Sequence, residues 1–234
     1  MSENIKGKYI MKAFKVDLDS SENQSILKPS ARSSNNQAHQ VDETAKKIDK
    51  LIKNAPYSND DIVLNHNKIK EAFFSPFKPQ LKSAQVFLSH SHADKNKALK
   101  VKGYLESKTN HKVFVDSLFW DYKDDVLNKL AEYDDISRIK DAFTLILRES
   151  LEDMIKKCPY FVFLQSKNSV SLNQDLLSIT YSAWIYEELK IAHSISESRP
   201  IPMMESMQVF HDISPFLESF ETIRLSELSR IINS

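Results

Sequence analysis

VFLSHSHADK, residues 86–95, is the stretch on which the fold turns. Its first half is an apolar run, and its second half is polar. An apolar run of this length bounded by polar residues reads as a buried strand, here AQVFLSHS over 84–91. His90, His92 and Asp94 also fall at the spacing H-x-H-x-D, which two-metal hydrolases place after a strand. The full metal run continues with a sixth-position histidine, and this chain has Lys95 there. The other histidines, His39, His66, His111, His193 and His211, form no second ligand motif. Two readings stay open beside the disfavoured metal one. His90 and His92 are loop residues beyond a strand, or His90 or Ser89 takes a direct part in binding a ligand.

Downstream, the pattern repeats. DKNKALKVKGYLESK (94–108) carries apolar residues at helical spacing, with Asp94 near its start. HKVFVDS (111–117) is a second strand, and a long polar stretch, read as a loop over 118–141, follows it. AFTLILRESLEDMIKK (142–157) has a one-sided helical stripe, and YFVFLQS (160–166) is a third strand. SAWIYEELKIAHSI (182–195) is another helix, RPIPMM (199–204) and ETIRLS (221–226) are weaker strands, and SELSRIIN is a closing helix. Apolar strands alternating with helices predict a parallel sheet covered on both faces, a three-layer, flavodoxin-like α/β fold. Sites in such sheets lie at the carboxyl ends of the strands. Ser89–Ser91, Asp116–Ser117 and Gln165–Ser166 are therefore expected to cluster. The main domain is placed at 84–234. Residues 1–83 are read as an N-terminal extension, with a polar linker over 18–45 and short helices over 41–54 and 65–74.

Composition narrows the function classes. Lys plus Arg and Asp plus Glu are both 32, so neither nucleic acid nor an anionic membrane is an expected partner. No apolar run reaches the roughly 18 residues of a membrane span, and the first residues lack the apolar core of a signal peptide. The single cysteine, Cys158, excludes an internal disulfide and a C-x-x-C zinc site. A cytoplasmic location fits. The only glycines, Gly7 and Gly103, exclude a G-x-G-x-x-G turn and a P-loop.

These segments resemble the Toll/interleukin-1 receptor (TIR) domain family. VFLSHSHADK is similar to the family's first strand and loop, KVFVDS to its second strand, and YFVFLQSKNSVSL to its third. SAWIYEELKIA resembles the S-x-W-x-x-x-E-L helix, and RPIPMM the fourth strand. The likeness covers roughly residues 84–232 and is nearest to bacterial members, in particular Thoeris-type antiphage signalling proteins. It implies cleavage of NAD+ at the nicotinamide–ribose bond, giving nicotinamide and ADP-ribose or a cyclic or conjugated ADP-ribose signal. NAD+ is then substrate, with no resident cofactor. The resemblance also implies self-association through TIR–TIR contacts and an effector that senses the product. Carried over, the glutamate that activity needs is Glu188. A non-catalytic TIR–TIR interaction module is the alternative.

Periodicity singles out the same residue. Ile185, Leu189 and Ala192 make the buried stripe of the 182–195 helix, and Glu188 lies on that side. Glu187 lies about 100° further round, toward water. A carboxylate at such an edge can steady the oxocarbenium character that develops at a ribose carbon, hold ribose hydroxyls, or act as base. Nicotinamide leaves as a neutral group from a cationic ring, so a general acid is dispensable. Ser89, His90 and Asp116 are expected at the cleft with hydrogen-bonding roles. Trp184 is core or a stacking platform. Trp120, in the polar loop, is expected to line the nicotinamide or adenine pocket or to pack a neighbouring subunit.

Overall fold

Three strands of the main sheet, over 84–90, 112–115 and 160–165, alternate aromatic and aliphatic residues, and successive side chains of a strand point to opposite faces. That alternation sorts the core into two layers. The computed structural model describes residues 11–27, 41–55, 57–58, 61–62, 65–77, 83–132, 140–172, 178–180, 182–196 and 211–234. Its strands are β1 (Lys12–Asp17), β2 (Tyr57–Ser58), β3 (Asp61–Ile62), β4 (Ala84–His90), β5 (Lys112–Val115), β6 (Tyr160–Gln165), β7 (Ser171–Leu172), β8 (Ser178–Thr180), β9 (His211–Asp212) and β10 (Glu221–Thr222). Its α-helices are α1 (Ser21–Leu27), α2 (Val41–Lys53), α3 (His66–Phe74), α4 (Lys95–Lys108), α5 (Asp116–Leu130), α6 (Lys140–Lys157), α7 (Ala183–Ser196), α8 (Ser214–Ser219) and α9 (Leu225–Asn233).

Five strands form one parallel sheet in the order β10-β1-β6-β4-β5. Phe87 of β4 sits in register with Phe114 of β5 and Phe161 of β6. The three rings stack with centroids 5.8 Å apart on each side of Phe87, a cross-strand row of the kind that fixes register. Helices α2, α3, α5, α6 and α7 cover this aromatic face through residues that include Ile48, Phe73, Tyr122, Leu151 and Leu189. The opposite face is aliphatic, with Val86, Leu88, Val115, Val162 and Leu164. It packs on Val101 and Leu105 of α4 and Leu228 and Ile232 of α9. The fold is therefore the expected α/β, flavodoxin-like arrangement of three layers.

The expected boundary at residue 84 does not divide the sheet. Lys12–Asp17, assigned to an extension, pairs with β6 along its whole length and with β10 on its other side. It takes the place beside the third strand where a flavodoxin-like order puts a fourth; residues 199–204, expected there, lie outside the described residues. KAFKVD escapes a search for continuous apolar strands because it carries Lys12 and Lys15. Lys12 is exposed, and Lys15 reaches the Leu217 carbonyl at 2.7 Å, while Phe14 and Val16 complete the aliphatic face. Two further expectations change. The linker over 18–45 contains helix α1, and the loop over 118–141 is, through Leu130, the body of helix α5. Tyr122, Val126 and Leu130 of α5 recur every fourth residue and are buried, whereas Asp124, Asp125 and Asn128 face water. The charged face masks the stripe. The segment between the two weak strands also holds α8.

Candidate active site

The aromatic face ends in a hydroxyl. By the alternation of β4, Ser89 follows Phe87 on the side where α7 packs. Its Oγ, fully buried, donates to Glu188 Oε2 at 2.5 Å. Glu188 is held there by its helix. Ile185, Leu189 and Ala192 bury the same side of α7, and Glu188 is 1% exposed. Ser182 starts this helix, its Oγ accepting the Ile185 amide at 3.3 Å, as an N-cap does. Glu187, one position back, turns to Arg148 at 3.1 Å and Lys190 at 3.7 Å.

The next residue of β4 engages a different carboxylate. His90 is 3% exposed, and its Nδ1 rests against Asp116 Oδ1 as an ion-pair contact without the alignment of a hydrogen bond. Asp116 opens helix α5 directly after β5. Its Oδ1 accepts the Ser117 amide at 2.6 Å, and its Oδ2 lies 3.4 Å from the His90 amide. A carboxylate in a first helical turn is favoured by the free amides and the helix dipole there. Consecutive residues of one strand tip thus hold two buried carboxylates from two helices.

A cleft of about 200 Å³ opens between these elements. Glu188, Ile185, Trp184 and Ser182 of the α7 end form one wall; Asp116, Ser117, Lys123 and Asp124 of α5 form the other, with His90 and His92 at the strand tip. Lys123 and Asp124 pair at 2.7 Å. Among the described residues, the buried polar atoms on these walls that lack a hydrogen-bond partner include His90 Nε2 and Ser117 Oγ. Such atoms are rare in folded proteins and mark places where a water or ligand completes the bonding.

The three residues of the H-x-H-x-D spacing diverge. His90 turns inward to Asp116. His92 is exposed, 4.0 Å from Asp121. Asp94 is buried in a separate cluster, where it accepts from Ser166 Oγ and from Asn168 Nδ2 at 3.0 Å and pairs with Lys97 at 3.3 Å. Burial pulls the Lys97 ammonium down, but its bonds to Asp19 and Asp94 outweigh that and leave it above the ordinary lysine value. Among the described residues no group of three His, Cys, Asp or Glu side chains is placed to hold a metal ion. Ser166, expected at the cleft, belongs to this second cluster instead.

Of the expected site residues, Glu188, His90, Asp116 and Trp184 line the cleft together. Ser89 stands behind Glu188 and does not line it. Trp120 lies within helix α5 rather than in a loop, and its side chain is outside the described residues. Ser117, expected with Asp116 at the strand tips, joins it on the cleft wall, whereas Lys123, Asp124 and Ser182 are not singled out by the sequence. The cleft positions of Lys123 and Asp124 follow only once 116–130 is known to be helical. Comparison with family models, with curated proteins and with solved structures returns no match.

Proposed function

We propose that this protein is an NAD+-consuming enzyme that breaks the nicotinamide–ribose bond at the cleft between α5 and α7, with Glu188 as the group that steadies the ribose. The reading rests on one observation: a buried glutamate, fixed by Ser89, forms part of a cleft wall at the carboxyl ends of the parallel strands. Ligands bind at that end of open α/β sheets. The resemblance of SAWIYEELKIA and VFLSHSHADK to TIR sequences supplies the substrate class. A negative charge kept close to C1′ lowers the barrier as the ribose gains positive character, and it does so more strongly where water is excluded. Pockets for drug-sized ligands run to ~300–1,000 Å³. A cleft of about 200 Å³ therefore suits the reacting nicotinamide–ribose end, with the adenylate running outside it. The product is ADP-ribose or a signal derived from it, as in bacterial antiphage members of the family that the sequence resembles. Self-association through TIR–TIR contacts is part of the same proposal.

The test is NAD+ consumption by the purified protein, alone and at concentrations that drive association, against Glu188→Gln. The amide keeps an acceptor for Ser89 and removes the charge. Loss of turnover in an intact fold supports the reading. Turnover that ignores the substitution ends it, and a wild-type protein that leaves NAD+ intact as monomer and assembly favours the non-catalytic interaction module.

A further inference from the structure

His90 is not needed to hold Glu188; Ser89 does that. Yet His90 is 3% exposed, is backed by Asp116 on Nδ1, lines the cleft, and has an Nε2 without a hydrogen-bond partner among the described residues. A carboxylate against Nδ1 favours the proton on that nitrogen and leaves the lone pair on Nε2. A purely structural histidine would satisfy both nitrogens. Ser117 Oγ, also buried, unpartnered and on the cleft wall, offers a second hydrogen-bonding group.

We propose that His90 is the base for the second half of the reaction, and that the acceptor of the ADP-ribosyl group is a proton-bearing oxygen, water or a hydroxyl, oriented by Ser117. This rests on Glu188 acting as described above. The C1′–N bond breaks, and its electron pair goes to the ring nitrogen, which quenches the pyridinium charge. A lone pair of the acceptor oxygen forms the new C1′–O bond, and the acceptor's proton passes to His90 Nε2. The imidazolium that results is balanced by Asp116, which therefore acts as a positioning residue. Glu188 serves bond cleavage; His90 serves capture.

The two halves separate experimentally because a pyridine base can replace nicotinamide. An incoming pyridine has no proton to lose, so exchange needs cleavage but not His90. Wild type, His90→Gln, His90→Asn and Glu188→Gln are each given NAD+ with excess 3-acetylpyridine, and transfer to oxygen and base exchange are followed by mass spectrometry. Both His90 variants are expected to lose about 100-fold or more of transfer to oxygen, the usual scale of general-base catalysis. Exchange should stay within a few-fold of wild type, which also shows that the site is folded. Glu188→Gln should lose both. If the His90 variants keep transfer to oxygen, or lose both reactions together, the assignment of His90 is overturned and that of Glu188 stands. Glu188→Gln retaining both, or a wild type that does neither, overturns the parent reading and this one with it.

Discussion

Ser89 Oγ and Glu188 Oε2 meet at 2.5 Å across 99 residues of sequence. A hydrogen bond to a charged group contributes about 1.5–3 kcal/mol, and a buried acceptor stripped of its donor bears the full cost. Under the proposed function, Ser89→Ala is therefore expected to slow NAD+ consumption by roughly 10-fold or more, because the carboxylate loses its orientation. Stability should fall by about 1–3 kcal/mol. Parallel turnover and urea-denaturation measurements check both. Unchanged turnover would mean that the serine does not position the acid.

The N-terminal strand supports the whole sheet. β1 separates β6 from β10 and brings Phe14 and Val16 to the aliphatic face. A fragment beginning at residue 84 would leave the β6 edge open and that face uncovered, so it is expected to be unfolded or aggregated by circular dichroism and light scattering. Phe14→Ala in the full chain should cost about 3–5 kcal/mol, the range for a large core ring. A fragment 84–234 with a cooperative melt would contradict this.

Which parts could be read from sequence follows from how each segment meets water. β4, β5 and β6 are buried on both faces, so their apolar runs stand out, and Glu188 is legible because α7 has a clear stripe. β1 is hidden by Lys15, whose stem crosses the core side before its amine finds the Leu217 carbonyl. Helix α5 is hidden by its charged face, and with it the Lys123–Asp124 wall of the cleft. The contact of His90 with Asp116 is not legible in the sequence; the convergence of the β4 and β5 tips brings the two together, away from His92 and Asp94.

Cys158 is buried against the Ala84 carbonyl, 3.9 Å from its Sγ, and burial pushes its thiol up to about 12. The thiolate is the reactive form, so the native protein should resist iodoacetamide and disulfide reagents near pH 8. Labelling should proceed at the rate of unfolding and follow the denaturant curve. Rapid stoichiometric labelling of folded protein would refute the buried placement.

Tyr122 joins α5, which carries half of the cleft, to α2. Its hydroxyl donates to Thr44 Oγ1 at 2.6 Å, and burial raises the phenol from 10.0 to about 12. The folded state therefore holds this proton more tightly than the unfolded chain. The resulting stability is fully present below pH 10. It falls as the unfolded state ionises, and it is lost by about pH 12, a change of at most about 2–3 kcal/mol. Tyr122→Phe removes the titration and one hydrogen bond, worth about 1 kcal/mol. The variant should thus be less stable than wild type at pH 8, and the gap should narrow or reverse between pH 10 and 12. Denaturation curves at pH 8, 10 and 11 measure it. A gap that stays constant across that range would show that the phenol titrates normally and is not buried between the two helices.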